Sequence, residues 1–83
     1  SFFKNPSREQ SAGSLIEQAE LKGYRHGGAY FSDKHANFLM SDGTATWRDL
    51  VEIVELTQKK VCEEFQMSLE PEVRIIKVSQ NQE

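Results

Sequence analysis

The sequence predicts an α+β fold in which two helices pack on a small mixed or antiparallel sheet. Three observations support this class: two segments with helical spacing of apolar residues, two short β-like runs between them, and an alternating run after them. The predicted order is therefore helix, hairpin, long helix and strand. With 83 residues, the chain has room for one domain, which we expect to span residues 1–83.

The first helix is predicted near residues 13–21. Ser11 or Ser14 can cap its start, and Ser14 precedes Glu17 by the spacing of a capping box. Gly23 is suited to the left-handed residue that ends many helices, because it has no side chain to clash. We therefore expect the helix to stop just before this glycine.

A hairpin is predicted after this helix. The two short β-like runs extend from Gly28 to Ser32 and from His35 to Met40, and Asp33-Lys34 could form the turn between them. Gly27-Gly28 frees the backbone for a sharp bend or a close approach by another group.

The longest helix is predicted at about residues 46–66, with Thr46 as its cap. Seven apolar residues recur along it at helical spacing and are expected to form the core: Trp47, Leu50, Val51, Val54, Val61, Cys62 and Phe65. A last strand is predicted at about 72–78, and Pro71 belongs at or before its start because it cannot donate to a ladder.

Composition excludes several classes of function. The chain has 10 basic and 13 acidic residues, and this net charge of -3 argues against a nucleic-acid surface. The longest purely apolar run, Phe38 to Met40, is far too short to span a membrane. Cys62 is the single cysteine, which excludes an internal disulfide and fits a reducing, cytoplasmic location.

No standard catalytic or metal-binding motif is present. The chain has no phosphate loop, no dinucleotide-binding glycine motif and no HExxH. His26 and His35 lack a third ligand at a standard spacing, so we expect no metal site. Residue types and spacing alone therefore predict only an α+β domain, and a free-standing interaction or small-ligand regulatory module is one possible function.

Three segments nevertheless carry unusual polar groups for loops and strand ends: SFFKNP from Ser1, LKGYRHGG from Leu21, and LEPEVRII from Leu69. Together with the surrounding AGSLIEQAELKGYRHGGAYFSDKHANFL, they resemble the C-terminal domain of the UDP-N-acetylenolpyruvoylglucosamine reductases, flavoenzymes of bacterial peptidoglycan synthesis. The resemblance runs from Ser1 to about Ile76, and it is specific because three motifs occur in the right order.

The resemblance implies an oxidoreductase activity for the full-length protein, that of a UDP-N-acetylmuramate dehydrogenase. In this family NADPH reduces FAD, the flavin passes a hydride to C3 of UDP-N-acetylglucosamine enolpyruvate, and the carbanion at C2 is protonated. A separate N-terminal region binds the FAD, and a chain of 83 residues has no room for it. We therefore expect a fragment of a larger flavoenzyme that is inactive and binds no cofactor alone.

The resemblance also implies roles for five residues. Ser1 corresponds to the proton donor and Glu72 to a second catalytic residue, whereas Asn5, Lys22 and His35 lie at the substrate. A serine hydroxyl is a weak acid, so it can protonate only a strongly basic centre that is held close to it. Glu72 could stabilise charge on the substrate carboxylate only if it is protonated, or else through a partner. These roles require Ser1 and Glu72 to meet across the sheet.

Taken singly, the same positions also fit structural roles. Asn5 precedes proline and could form a turn, and His35 is suited to strand pairing. Glu72 and Arg74 could form an ion pair at a strand edge. Lys22 and Arg25 are suited to a diphosphate, whereas Lys59 and Lys60 are expected on a solvated face. Only the combined match favours the functional roles.

Overall fold

The structure is a computed structural model that describes residues 1–72. Its elements are α1 (Ala12–Gln18), β1 (Arg25–His26), β2 (Ala29–Phe31), β3 (Leu39–Ser41) and α2 (Trp47–Phe65). The strands form one antiparallel sheet in the order β1-β2-β3. The predicted α+β class is confirmed. The last strand, predicted at about 72–78, lies outside the described residues except for Glu72.

Of the two serines predicted as possible caps of α1, the first one caps the helix. Ser11 is the cap, and its hydroxyl accepts a hydrogen bond from the Ser14 amide at 3.0 Å. Ser14 lies inside the helix, so the capping box predicted from it is wrong. A cap residue needs an extended backbone, and Ser11 has φ -84° and ψ 150°.

Helix α1 also ends earlier than predicted. The left-handed residue that terminates it is Glu20, with φ 64°, and not Gly23. The Leu21 amide donates to the Ile16 carbonyl at 2.9 Å, and the Glu20 amide donates to the Glu17 carbonyl at 2.9 Å, which is the Schellman pattern. Leu21 is buried by this arrangement, so apolar burial decides the end of the helix.

Strand β3 starts later than predicted because a turn occupies the residues before it. The Phe38 amide donates to the His35 carbonyl at 2.9 Å, so His35 lies in a turn and not in a strand. The Ser32 hydroxyl accepts the amides of Lys34 and His35, which satisfies loop donors that a strand would have paired. Strand β1 was not predicted, since its two residues have no periodicity to detect.

Helix α2 has the predicted N-cap, Thr46, but its buried face differs from the predicted one. Its fully buried positions are Ile53, Thr57 and Val61, whereas Trp47 is 43% exposed and Cys62 is exposed. At ~100° per residue, Cys62 falls opposite Ile53 on the helix. The prediction is confirmed at Val54 and Val61, which are buried, but it missed Ile53, and it missed Thr57 because Thr57 is polar.

The hydroxyl of Thr57 explains its place in the core. It donates to the Ile53 carbonyl at 2.7 Å, so no polar group is left unsatisfied. The core itself lies between both helices and the sheet, and it includes Phe31 at 0% exposure. Within residues 1–72, neither helix is long and apolar enough to cross a bilayer.

Candidate functional site

Two distant segments of the chain pair at the candidate site. Residues 2–4 lie antiparallel to residues 70–72, with a bridge between Phe3 and Pro71. Two backbone hydrogen bonds flank this bridge, from Lys4 N to Glu70 O at 2.8 Å and from Glu72 N to Phe2 O at 2.7 Å. Pro71 occupies the position of the pair that makes no hydrogen bond, so its missing N–H costs nothing.

This pairing brings together the two residues that the resemblance identified as catalytic. The Ser1 hydroxyl lies 3.5 Å from Glu72 Oε1, although 71 positions separate the two residues in the sequence. The contact is longer than the roughly 2.5–3.0 Å of a short O–H···O hydrogen bond. Such contacts in ligand-free sites often shorten only when substrate is bound. The structure therefore places a hydroxyl beside a carboxylate on an open surface.

A groove of about 390 Å³ lies beside Ser1, and two further predicted residues, Asn5 and His35, line it. Lys22 is not part of its lining. The ammonium of Lys22 lies 3.8 Å from a carboxylate oxygen of Glu17, which does line the groove. The fold thus brings Ser1, Asn5 and His35 to one surface and leaves Lys22 at its margin.

Asn5 has a structural function in addition to its place in the groove. Its side-chain oxygen accepts the Ala12 amide at 3.0 Å, so it satisfies a free N–H at the start of α1. Among the described residues, no hydrogen bond uses the Asn5 amide nitrogen. The side chain could therefore hold the helix with one atom and contact a ligand with the other.

His35 is exposed, and its position is set by its neighbours in the turn before β3. Its ring lies against that of Phe38, with centroids 5.3 Å apart. Its backbone amide donates to the Ser32 hydroxyl at 3.2 Å. The imidazole is therefore held at the groove without forming part of the sheet.

Arg25, which the sequence offered for a diphosphate, has partners within the fold. Its guanidinium donates to Asp42 at 2.7 Å and lies 4.6 Å from the centre of the Tyr30 ring. Hydrogen bonds from Thr44, and then from Arg25, lower the pKa of Asp42 to about 2. We therefore infer that Arg25 stabilises the edge of the sheet through Asp42 and Tyr30.

Sequence spacing did not predict a cluster that joins β1 to α2. His26 Nε2 lies 2.7 Å from Glu52 Oε1, and one ligand atom each from His26, Asp49 and Glu52 lie within 4.8 Å of one another. This donor set is one that divalent metals use. Asp49, however, already accepts the amides of Thr46 and Gly28, which lower its pKa. We therefore infer that the cluster stabilises the contact between β1 and α2 and is not a metal site.

The described residues do not fit a flavin or nicotinamide dinucleotide. Such cofactors bind where a glycine turn exposes backbone amides at a helix N-terminus. The space beside Gly27 and Gly28 is filled, since an added Cβ would meet Asp49 or the Ala45 backbone. The starts of both helices are already capped by side chains. Within residues 1–72, we therefore assign no residue to FAD or NADPH.

Comparison with known proteins gives a consistent result. Residues 1–76 match the family described as "UDP-N-acetylenolpyruvoylglucosamine reductase, C-terminal domain". The chain is 48% identical over 75 residues to a protein of that reductase name from Desulfosudis oleivorans, covering 90% of this chain and 24% of the relative. It is 51% identical over 76 residues to one from Campylobacter jejuni, covering 92% of this chain and 29% of the relative.

A third relative, from Bacillus pumilus, has the same name and is 45% identical over 76 residues, covering 92% of this chain and 25% of the relative. The chain thus spans about a quarter of the length of these curated relatives. The family match covers nearly all of this chain, including Ser1 and Glu72. The chain therefore belongs to the C-terminal domain family of the UDP-N-acetylenolpyruvoylglucosamine reductases.

Proposed function

We propose that residues 1–83 form the substrate-binding domain of a UDP-N-acetylmuramate dehydrogenase. The full-length protein would reduce UDP-N-acetylglucosamine enolpyruvate to UDP-N-acetylmuramate for peptidoglycan synthesis. The 3.5 Å contact between the Ser1 hydroxyl and Glu72 carries this proposal, because it would let a proton donor and an acid act together beside the groove that Ser1 lines. Family membership over residues 1–76 supports the same activity and disfavours a free-standing interaction or regulatory module.

In this proposal, the Ser1 hydroxyl gives its proton to the carbanion at C2 of the reduced substrate. The O–H bond breaks, a C–H bond forms, and the serine oxygen regains a proton from water. Glu72 acts on the neighbouring substrate carboxylate, to which it donates a hydrogen bond in its protonated form. Positioning supplies most of the effect, because an alcohol is a weak acid unless the carbanion is close.

Asn5 and His35 are proposed to contact the substrate from the groove that they share with Ser1. The side-chain nitrogen of Asn5, which makes no hydrogen bond within residues 1–72, can donate one to the substrate, and the imidazole can donate or accept one. Lys22 is proposed to meet the diphosphate at the margin of the groove. For this, its ammonium would exchange the long contact with Glu17 for a phosphate oxygen.

FAD and NADPH are proposed to bind the part of the protein that lies outside this chain, and to supply the hydride there. An apolar surface beside Ser1 supports contact with such an N-terminal domain. Phe38 is 45% exposed and Met40 is 41% exposed, and both line a hollow with Ser1. Exposed apolar surface of this kind is typical of contact regions. A cytoplasmic location is also proposed, since Cys62 is a free, exposed thiol.

The proposal is tested by Ser1→Ala in the full-length protein, with the two half-reactions measured separately by flavin absorbance in a stopped-flow instrument. Reduction of FAD by NADPH should keep its rate. Turnover of the enolpyruvyl substrate should slow by about 10²–10⁴-fold, the usual contribution of general acid catalysis. Ser7→Ala is the matched control, because within residues 1–72 the Ser7 hydroxyl makes one hydrogen bond, to the Gln10 amide in a local turn.

Glu72→Gln should also slow only the substrate step. If both half-reactions lose rate equally in Ser1→Ala, the residue is structural and the proposal is wrong. Binding provides a separate check, in which UDP-N-acetylglucosamine enolpyruvate at up to millimolar concentration is titrated while amide shifts are followed. Shifts at Asn5, Lys22 and Glu72 support the substrate site, and their absence in a folded sample contradicts it.

A further inference from the structure

A buried amide in the loop between β2 and β3 holds the segment that carries Ser1. Asn37 is only 8% exposed, and its side-chain oxygen accepts the Phe3 amide at 2.9 Å. Its side-chain nitrogen donates to the Phe3 carbonyl at 2.9 Å. The Asn37 backbone carbonyl accepts the Phe2 amide at 2.7 Å. One residue thus makes three hydrogen bonds to two consecutive residues.

These hydrogen bonds take the place of those that a neighbouring strand would make with Phe3. A side-chain amide has the same donor and acceptor pair as a peptide group, so it can satisfy both backbone groups of Phe3. Residues 70–72 bind the other edge of the same segment, through Lys4 and Phe2. Residues 2–4 therefore lie between Asn37 on one side and residues 70–72 on the other, and among the described strands none pairs with them on the Asn37 side.

Asn37 also lies next to the chemistry. Phe2, whose amide it binds, precedes Phe3 and follows Ser1 directly, and consecutive Cα atoms are ~3.8 Å apart. Fixing the Phe2 amide therefore limits where the Ser1 hydroxyl can lie relative to Glu72. Asn37 lines the same groove as Ser1. No motif or spacing in the sequence singled it out.

We propose that Asn37 is the positioning residue for Ser1: its three hydrogen bonds hold the proton-donating hydroxyl at the groove. This inference rests on the proposed function of Ser1. Both polar atoms of the Asn37 side chain are bonded to Phe3, so in this proposal Asn37 acts through the backbone of Phe2 and Phe3 and not as a catalytic residue. Misplacing a reacting group by ~1 Å can cost about 10²-fold in rate.

A double-mutant cycle in the full-length protein tests the proposal. Asn37→Leu keeps the branched shape and the number of side-chain heavy atoms and removes both side-chain hydrogen bonds. Substrate turnover by the reduced enzyme should slow by about 10–10²-fold, with FAD reduction by NADPH unchanged. Because Asn37 acts through Ser1, the double variant with Ser1→Ala should be no slower than Ser1→Ala alone.

Thr57→Val is the control for lost stability. It also removes a buried side-chain hydrogen bond, from Thr57 to Ile53, and should leave both half-reactions unchanged in the folded enzyme. If Asn37→Leu fails to fold, Asn37→Asp keeps the acceptor for the Phe3 amide and should give an intermediate slowing. The same cycle applies to it.

The outcomes separate this inference from the proposed function. If Ser1→Ala leaves substrate turnover unchanged, the function of Ser1 fails and the role of Asn37 fails with it. If Ser1→Ala slows turnover and the Asn37 variants do not, the positioning role alone is overturned. The positioning role is also overturned if the Asn37 variants slow turnover by the same factor in the parent and in Ser1→Ala. Their effect would then not depend on the Ser1 hydroxyl.

Discussion

Helix α2 and the segment of residues 2–4 are held in place in opposite ways. The helix makes its own hydrogen bonds and its own cap, in which Thr46 and Asp49 bind each other's backbone amides. The segment makes no hydrogen bond within itself among those described. Its partners are Asn37 and residues 70–72, which lie far away in the sequence.

The difference teaches where function and stability reside in this domain. A helix of 19 residues finds its hydrogen-bond partners within a few positions of the chain, although most of its stability comes from packing its apolar face on the core. A segment held only by distant partners moves whenever one of those partners moves. Ser1 directly precedes the segment of residues 2–4, so its position depends on the contacts that distant parts of the fold make with that segment.

The largest expected effect is at Phe3, the buried side chain of the non-local segment at 1% exposure. Phe3→Ala should lower the free energy of unfolding by about 3–5 kcal/mol, because it removes a ring packed against Phe31 and leaves a cavity. Urea unfolding measures the loss, and faster amide exchange at Lys4 and Glu72 would show release of the segment.

Phe38→Ala is the control for that change, since its ring is 45% exposed. It should alter the free energy of unfolding by less than about 0.5 kcal/mol. Equal losses in the two variants would mean that burial of the Phe3 ring adds no stability beyond that of an exposed ring, which would contradict its role in anchoring the segment to distant residues.

The next effect is at Gly28, where the turn after β1 meets the start of α2. Gly28→Ala should lower the free energy of unfolding by about 1–3 kcal/mol, because its Cβ would overlap the Ala45 backbone, which cannot move aside cheaply. Thermal unfolding checks this. Gly13→Ala is the matched control, and there an added Cβ meets only Asn37 at 3.6 Å.

Gly13→Ala should have the opposite sign. Gly13 lies inside α1 without a positive φ, so alanine should raise the free energy of unfolding by about 0.5–1 kcal/mol through helix propensity. If both glycine variants lose stability alike, close backbone packing is not what Gly28 provides.

A smaller effect is expected at the helix cap. Thr46→Ala should lower the free energy of unfolding by about 1 kcal/mol, because the Asp49 amide loses its acceptor. Thr46→Ser keeps the hydroxyl and should stay close to the parent in the same urea titration. A loss as large as that of Phe3→Ala would show that this local cap contributes as much as a buried ring in the core, which would contradict the expected order of effects.

The smallest effect concerns pH. The pKa of Asp42 is lowered from 3.8 to about 2, so ionised Asp42 stabilises the fold fully above pH ~4, and this contribution is lost as the pH falls towards 2. Asp42→Asn should therefore be less stable than the parent at pH 7, and this difference should vanish near pH 2. Carbon NMR of the carboxyl gives the pKa directly, and a value near 3.8 would contradict the expectation.

Local signals predicted much of the fold. The cap of α2 was predicted correctly from Thr46, and both helices were found from the spacing of apolar residues. The end of α1 was wrong because burial of Leu21 selected Glu20 as the left-handed residue, although Gly23 is intrinsically better suited. Strand β1 was missed because two residues form a strand only when a neighbour pairs with them.

The candidate site was predictable only in part. The motifs identified Ser1, Asn5 and His35, and the fold brings them to one groove. They gave no signal for Asn37, because its function depends on bonds to a segment 34 positions away. The cluster of His26 with Asp49 and Glu52 was not predicted for the same reason, since β1 and α2 meet only in the folded chain.

The sequence by itself determined the helices, the cap of α2 and the family, because these depend on neighbouring residues and on motifs in a fixed order. Tertiary structure decided that the Ser1 hydroxyl and Glu72 come within 3.5 Å of each other. It also decided that Asn37 binds the backbone of Phe3, close to Ser1. The physical reason is that helical hydrogen bonds span about four residues, whereas those contacts become favourable only after folding has closed the long intervening loops.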